Sequence, residues 1–378
     1  MSATEYFVSV QYKVEVYSLP DLMVTLTGVA VGVLSVILVR AGNPGNMGYC
    51  IACFVRDIAG AIGFHRAAAV QYLRPEIMGL SIGAFFSSVV TREFRPRGGS
   101  SPLLRFVLAV TFMVGALIFL GCPVRAFLRL AGGDWNALYG VAGLTVGIAV
   151  GFSLVKRGFT LGRTTETNMS AGYVMPLLMI GLLVLLYFAP NFIFTSTTGP
   201  GSQAAPILLS LGAGLLLGVL AQRSRFCTIG GIRDFLFIRD SYLIKGTVAL
   251  VISAFIMNTA FGMFKAGFAA QPVAHTNALW NFIGMAIAGF AAVLLGGCPL
   301  RQVILSSEGN VDSGITVLGL LVGAALVHNF GLASSAAGVT QNGMVAGMLS
   351  LGVVVVIGLS NGPGAILFGQ KSVSSGGR

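Results

Sequence analysis

The sequence GCPVR at residues 121–125 recurs as GCPLR at residues 297–301, an offset of 176 residues. A second motif recurs at nearly the same offset: YC followed by VRD at residues 49–57 returns as FC followed by IRD at residues 226–234, 177 residues later. Two independent motifs at almost one offset indicate an internal duplication. This duplication decides the fold, because it predicts that the chain consists of two related halves.

The composition is that of a membrane protein. Of the 378 residues, 55% are hydrophobic and 9% are charged, whereas a soluble domain carries about 25% charged residues. So few charges cannot cover a surface exposed to water, and lipid is the expected solvent for most of the outside. The net charge of +11 lies in short loops between apolar runs, which indicates a role in membrane orientation rather than nucleic-acid binding.

Ten apolar runs are long enough to cross a bilayer, which takes about 20 residues. They cover residues 22–40, 74–91, 104–120, 136–155, 172–190, 205–221, 243–264, 278–296, 312–331 and 343–360. The second run is interrupted at its start by Arg74, Pro75 and Glu76, so nine spans is the alternative count. The predicted fold class is an all-α polytopic membrane protein.

Four further apolar segments are too short or too broken to span. They cover residues 46–63, 121–130, 224–238 and 297–307, and each has a cysteine near its start. Irregular backbone at membrane depth survives only where protein or a water-filled cavity covers it. We therefore predict four cysteine-bearing re-entrant half-helices that line a cavity.

The duplication and the count of spans together predict an inverted repeat. Five spans in each half is an odd number, so the second half enters the membrane in the opposite orientation, as in many transporters. The predicted organisation is an N-terminal interfacial segment at 1–21, a first membrane repeat at 22–190, a linker loop at 191–205, a second membrane repeat at 206–369 and a polar tail at 370–378.

The distribution of Lys and Arg predicts that both termini are cytoplasmic. With the N-terminus inside, the outer side receives seven of the 23 basic residues, namely Arg40, Arg56, Arg66, Arg74, Arg125, Arg129 and Lys265. The remaining basic residues lie inside, an excess of about two to one that satisfies the positive-inside rule.

The duplicated cysteines are the main candidates for substrate binding and translocation. They are Cys50 and Cys122, on half-helices predicted to enter from outside, and Cys227 and Cys298, on half-helices predicted to enter from the cytoplasm. Pro123 and Pro299 fit the first turn of a helix. The cysteine before each proline is therefore expected at a helix N-terminus, where free N–H groups favour an anion.

A buried cysteine is more commonly a small hydrophobic side chain. Cys53 fits this description, because Gly230 occupies its place in the second half. The odd total of five cysteines argues against a disulfide framework. Zinc is not expected at Cys50 and Cys53, since no second CxxC motif or histidine pair accompanies them.

Charged residues inside apolar segments are costly and usually functional. The duplicated pairs Arg56-Asp57 and Arg233-Asp234 are candidates for supporting charge pairs, with a structural salt bridge between half-helix and neighbour as the alternative. Arg125 and Arg301 follow the cysteine-proline motif by about one turn. They could attract anions into a vestibule or anchor the chain at the membrane interface.

The duplicated segments resemble the YeeE/YedE family of inner-membrane sulfur-compound transporters. The resemblance rests on GCPVR, on RFCTIGGIRD at residues 225–234 and on GGCPLR at residues 296–301, and it extends from about residue 22 over nearly the whole chain. NPGNMGYC at residues 43–50 looks like the YedE-type branch described as selenium transporters. The resemblance implies an hourglass-shaped protein of the bacterial inner membrane, with cysteines at its waist.

The same resemblance implies that the anion is passed between cysteine thiols. By motif match this role falls on Cys50, Cys122 and Cys298, and the internal repeat adds Cys227. Neutral thiols can donate weak hydrogen bonds to a sulfur or selenium anion, whereas a covalent relay would need thiolates. The sequence leaves both mechanisms open.

The predicted function is transport, not catalysis, of a small sulfur- or selenium-containing anion such as thiosulfate or a selenium oxyanion. One alternative is a membrane sulfur- or selenium-transferase that delivers persulfide-type cargo to a small cytoplasmic sulfur-carrier protein. The other is a pore for small neutral solutes. No cofactor is expected, and the nucleotide-binding P-loop pattern is absent. The expected partners are the anion and membrane lipid, with no nucleic acid.

Overall fold

The computed structural model describes residues 19–361, so the predicted polar tail and most of the predicted N-terminal segment lie outside the described residues. This range contains fourteen α-helices. They are α1 (Leu19–Arg40), α2 (Ile51–Ala61), α3 (Pro75–Val90), α4 (Pro102–Phe119), α5 (Pro123–Ala131), α6 (Asn136–Lys156), α7 (Met169–Phe188), α8 (Ile207–Ser224), α9 (Thr228–Arg233), α10 (Tyr242–Ala260), α11 (Ala278–Leu295), α12 (Pro299–Ser307), α13 (Val311–Asn329) and α14 (Gln341–Ser360). A π-helical turn, Asp234–Ile238, continues α9.

The predicted all-α membrane fold is confirmed. Within residues 19–361, nine helical segments are long and apolar enough to cross a membrane. The tenth predicted span is α3, which has 16 residues and falls just below the usual spanning range of about 17–25. It begins only at Pro75 because Arg74 remains in extended conformation as the N-cap, and the first helical position is where proline costs no hydrogen bond.

The helices repeat in the same order in the two halves. From α1 to α7 the pattern is long, short, long, long, short, long, long, and it recurs from α8 to α14. The short members are α2, α5, α9 and α12, which are the four predicted half-helices. Each follows directly on a cysteine.

Equivalent helices of the two halves run in opposite directions. Thr27, in the first part of α1, donates a 2.9 Å hydrogen bond to Ser224 at the end of α8. Gly42, just after α1, lies against Ala204, just before α8. As a consequence, α1 packs in parallel against α10, as do α3 against α8, α4 against α13 and α6 against α11. This is the packing that an inverted repeat predicts.

Small residues allow the parallel pairs to approach closely. A Cβ atom on Gly28 would lie 1.9 Å from the carbonyl oxygen of Gly246, and one on Gly143 would lie 2.0 Å from that of Phe282. Such close contacts are typical of helix pairs in membranes, where packing rather than the hydrophobic effect drives association. They give the high glycine content of the chain a structural role.

The loops gather on two opposite faces of the bundle. On one face, Asn329 Nδ2 donates to Phe64 O across 2.9 Å, and Gly133 contacts Lys265. On the other face, strand β1 (Arg97–Gly98) pairs with β2 (Thr165–Glu166) in antiparallel orientation, and Arg225 forms an ion pair of 3.0 Å with Glu93. The loops that contain Phe64, Gly133 and Lys265 therefore share one face, and those that contain Glu93, β1, β2 and Arg225 share the other. The predicted topology places the same loops together.

Candidate functional site

Each half-helix begins with a cysteine as its N-cap. Cys50 caps α2, and its sulfur accepts a hydrogen bond of 3.4 Å from the backbone N–H of Cys53. Cys227 caps α9 in the same way, with its sulfur 3.4 Å from the backbone nitrogen of Gly230. The duplicated sequence motif therefore folds into a duplicated local structure.

The other two cysteines cap half-helices that open with proline. Cys122 precedes Pro123 at the start of α5, and Cys298 precedes Pro299 at the start of α12. Neither thiol caps its own helix, so both are free to bond elsewhere. This arrangement is the one expected from proline at the first helical position.

The four duplicated thiols form two pairs, one in each half. The sulfurs of Cys50 and Cys122 lie 3.7 Å apart, and those of Cys227 and Cys298 lie 3.6 Å apart. Both distances suit an S–H···S hydrogen bond, and all five cysteines of the chain are buried free thiols. The sequence predicted four separate cysteine positions along one path. In the structure these four cysteines form two pairs.

The fifth cysteine contacts a buried arginine. Arg125 Nη1 lies 3.3 Å from the sulfur of Cys53. The same guanidinium donates to the carbonyl oxygens of Asn46 and Val273, at 2.8 Å and 3.0 Å, and to that of Leu120. Its side chain is fully buried within the protein.

Arg301, the equivalent of Arg125 in the second half, has a different environment. Its Nη1 lies 3.3 Å from Glu308 Oε1, and its side chain is 12% exposed. Glu308 also pairs with Arg225 and, more distantly, with Arg97. Arg301 therefore belongs to an ion-pair network on one face of the protein, a feature the sequence motif did not reveal.

The first duplicated charge pair is buried and has a third member. Asp57 accepts hydrogen bonds from Arg56, at 2.7 Å and 2.9 Å, and from Arg74 Nε at 2.8 Å. Since Arg74 is the N-cap of α3, Asp57 ties α2 to its neighbour. No motif marks Arg74 as a partner of Asp57, although Arg74 stands directly before an apolar run.

The second charge pair is closer to solvent. Arg233 and Asp234 lie 2.7 Å apart, with their side chains 31% and 13% exposed. In the described part of the chain, Asp234 has no second arginine within ion-pair distance. The two halves therefore share the pair but differ in its burial.

The protein contains two cavities whose walls each include the residue two positions before the second cysteine of a thiol pair. The larger, of about 420 Å³, contains Arg56 in its wall and is called the Arg56 vestibule here. Its other lining residues are Ala67, Ala69, Val70, Leu117, Leu120, Pro200, Val273, His328, Ala333, Ser334, Ser335 and Ala336. Leu120 precedes Cys122 by two residues, so this vestibule ends close to the first thiol pair.

The second cavity, of about 230 Å³, is the counterpart of the first and is called the Arg233 vestibule. Arg233 takes the place of Arg56, and the end of α11 at residues 293–296 takes the place of the end of α4 at residues 117–120. Gly296 precedes Cys298 by two residues. Arg105 and Thr160 add polar groups to this wall. The two vestibules and the two thiol pairs thus follow the internal repeat.

The histidines show no arrangement typical of metal sites. His65 and His275, both in loops, each donate from Nε2 to a backbone carbonyl, because Nδ1 accepts from a backbone N–H. Burial lowers the pKa of both imidazoles. His328 stacks on His65 with ring centroids 4.7 Å apart. Among residues 19–361, no group of three or more His, Cys, Asp or Glu side chains could hold a metal ion.

Comparison with known proteins finds similarity to a sulphur-transport family. Residues 223–369 match the family described as "Sulphur transport". The match covers the second thiol pair and confirms the resemblance to the YeeE/YedE family that the cysteine motifs indicated.

Two curated relatives are similar to part of the chain. The thiosulfate transporter TsuA of Escherichia coli is 31% identical over 124 residues, which cover 32% of this chain and 34% of that protein. TsuA of Spirochaeta thermophila is 31% identical over 121 residues, 31% of this chain and 35% of that protein. The chain thus spans about a third of the length of the curated relatives it matches. Both relatives are named for thiosulfate, and neither name mentions selenium.

Proposed function

We propose that this protein transports a small sulfur-containing anion of the thiosulfate type across the bacterial inner membrane. The observation that carries the proposal is the pairing of thiols: Cys50 with Cys122 at 3.7 Å, and Cys227 with Cys298 at 3.6 Å. The family match and the names of the two relatives support a sulfur anion as cargo.

The proposed mechanism is a hand-over between neutral thiols. A neutral thiol that donates to its partner sulfur can donate instead to an arriving anion. Backbone N–H groups at the first turns of α5 and α12 add a positive partial charge next to Cys122 and Cys298. Neutral donors bind the anion without the charge repulsion that a thiolate would cause.

The proposed orientation places the Arg56 vestibule outside and the Arg233 vestibule in the cytoplasm, with both termini cytoplasmic. This follows from the excess of Lys and Arg on the face that carries the Arg233 vestibule. The anion would then enter at Arg56 and meet Cys50 and Cys122 before Cys227 and Cys298. Arg125 and Arg301 would add positive charge near the two pairs.

A selenium-containing anion is the proposed alternative cargo. The extra thiol at Cys53 lies one helical turn from Cys50, and a selenium species reacts with thiols more readily than its sulfur analogue. The thiols of each pair could donate a hydrogen bond to a sulfur atom or to a selenium atom of the anion. Direct competition between the two classes of anion decides which is preferred.

The test is uptake into proteoliposomes that contain only the purified protein. We expect entry of ³⁵S-thiosulfate, with labelled selenite and sulfite measured in parallel. Cys122→Ala and Cys298→Ala should each abolish uptake while the protein still purifies as a single species. Transport by cysteine-to-serine variants at wild-type rates would instead indicate a pore for small solutes.

A doubly labelled substrate separates hand-over from covalent transfer. If a thiolate took the outer sulfur of thiosulfate as a persulfide, sulfite would be released and the two sulfur atoms would part. Hand-over keeps both atoms together, so the two labels should appear inside in equal amounts. Uptake of one label alone would support the transferase alternative, with a cytoplasmic sulfur-carrier protein as acceptor.

A further inference from the structure

Two polar atoms in the wall of the Arg56 vestibule have no hydrogen-bond partner within residues 19–361. They are Ser334 Oγ and His328 Nε2. Ser334 is 7% exposed, and its backbone N–H donates to Leu117 O across 3.3 Å, which holds its loop against the end of α4. Buried polar atoms are nearly always hydrogen-bonded. Ser334 Oγ is thus an uncommitted hydroxyl, and His328 Nε2 an uncommitted ring nitrogen that donates in one tautomer, at the edge of a cavity.

The charge at this vestibule is positive. Arg56 and Arg74 share the single carboxylate of Asp57, which leaves one positive charge in excess within that cluster. The three side chains are almost completely buried. Screening by salt is weak for buried charges, so the excess charge favours an anion in the cavity.

Apolar side chains form most of the remaining wall, among them Leu117, Leu120 and Val273. An anion that enters such a cavity loses part of its hydration, and this loss is costly for a strongly hydrated ion. Sulfate, with four equivalent oxygens, has no weakly hydrated side to present to the wall. An anion with one polarisable sulfur or selenium atom can place that atom against the apolar wall and direct its oxygens toward the donors.

We propose that Ser334, His328 and Arg56 form a docking site that binds the anion before it reaches the Cys50–Cys122 pair. The site takes a small oxyanion with one sulfur or selenium terminus and discriminates against sulfate. The inference rests on the proposed function, because it concerns the same anion. It adds a second binding position, separate from the cysteines, whose residues lie in α2, in α13 and in the loop after α13.

The test measures equilibrium binding of ³⁵S-thiosulfate to purified protein in a Cys122→Ala background, which removes a ligand of the thiol pair. In that background, Ser334→Ala and His328→Leu should each raise the Kd about tenfold, the equivalent of about 1.4 kcal/mol, as expected for one hydrogen bond to a charged partner. Ser334→Thr keeps the hydroxyl and should restore binding. Sulfate should displace thiosulfate poorly.

Ser335→Ala is the matched control. Ser335 lines the same vestibule, but it is exposed and its hydroxyl oxygen already accepts from the N–H of Ala337 at 3.2 Å. Its replacement should leave the Kd unchanged. With the cysteines restored, Ser334→Ala should raise the KM for uptake by a similar factor.

The outcomes separate this proposal from the proposed function. If wild-type protein transports thiosulfate and Ser334→Ala changes neither Kd nor KM, the docking site is wrong and the function stands. If Ser334→Ala weakens binding but no variant, including wild type, shows uptake, the docking site stands and transport is wrong. Equal displacement by sulfate and thiosulfate overturns the claimed discrimination.

Discussion

The sulfur of Cys53 accepts a hydrogen bond of 3.3 Å from the guanidinium of Arg125. Cys53 is the one cysteine without a counterpart in the second half, whereas Arg125 has a counterpart in Arg301. Three backbone carbonyls hold the same guanidinium, so the sulfur is one partner among four. The contact therefore does not by itself make Cys53 part of the translocation path.

The first prediction is that Cys53→Ala is tolerated. Loss of one weak acceptor leaves Arg125 bound to its carbonyl partners, and removal of one small group from a packed site costs about 1 kcal/mol. Thiosulfate uptake should stay within about twofold of wild type. Cys50→Ala, at the N-cap of the same helix, is the matched comparison. Equal loss of uptake in both variants would place Cys53 on the path.

The second prediction contrasts Arg125→Lys with Arg301→Lys. Arg125 uses the planar fork of the guanidinium to reach several acceptors at once, which a lysine ammonium cannot do. We expect Arg125→Lys to lower the free energy of unfolding by about 3 kcal/mol, since several buried acceptors lose their donor. Arg301→Lys keeps the charge beside Glu308 and should cost about 1 kcal/mol or less.

Thermal unfolding in detergent, followed by the fluorescence of a thiol-independent dye, measures both variants. Arg301→Lys is the control, because it makes the same replacement of arginine by lysine at the equivalent position of the second half. Equal destabilisation would show that the different surroundings of the two arginines do not matter for stability.

The local structure at the cysteines could be predicted from the sequence because its signals are local. Pro123 and Pro299 mark the first turn of a helix wherever the rest of the chain goes. The inverted order of helices also followed from the repeat and from an odd number of spans. Both features depend on short-range rules or on counting, and both appear in the structure as expected.

The pairing of thiols and the vestibule residues depend on packing between distant segments. Cys50 and Cys122 are 72 residues apart, and no rule of spacing fixes the distance between their sulfurs. Ser334 lies in a loop without charge or motif, so nothing in the sequence marked it. The partnership of Arg301 with Glu308 joins the two ends of α12, but the motif predicted the same role for Arg125 and Arg301 and did not mark Glu308.

The third prediction concerns Asp57→Asn and Asp234→Asn. Asp57 is buried between two arginines, so its neutralisation leaves uncompensated buried charge at a cost of about 3–5 kcal/mol. The pair of Arg233 and Asp234 is partly exposed, and its loss should cost about 1 kcal/mol or less. Yield of folded protein and the melting temperature in detergent measure the difference. Equal effects would contradict the contrast in burial between the two halves.

The fourth prediction concerns orientation in the membrane. A reporter fused after Arg378 should lie in the cytoplasm, so a fused green fluorescent protein should fluoresce and a fused alkaline phosphatase should be inactive. The reason is the excess of basic residues on the face that carries the Arg233 vestibule. A phosphatase inserted after Ser335 should be active, because this loop belongs to the opposite face. The reverse pattern would invert the proposed direction of entry while leaving the fold intact.

The last prediction is that the two thiol pairs are reached from opposite sides of the membrane. Leu120 in the wall of the Arg56 vestibule and Gly296 in that of the Arg233 vestibule each lie two residues before a paired cysteine, so a small impermeant thiol reagent should reach the two pairs from different faces. In single-cysteine variants, Cys50 and Cys122 should react first with reagent added outside right-side-out vesicles. Cys227 and Cys298 should react first in inverted vesicles.

All four are buried, so their labelling should be slower than that of the exposed controls Ser335→Cys and Thr160→Cys, which report the two faces. Addition of thiosulfate should slow the labelling of each pair, because the anion occupies the same thiols. If all four cysteines react at one rate from one face, the pairs are not arranged in series between two vestibules, and the hand-over mechanism is wrong.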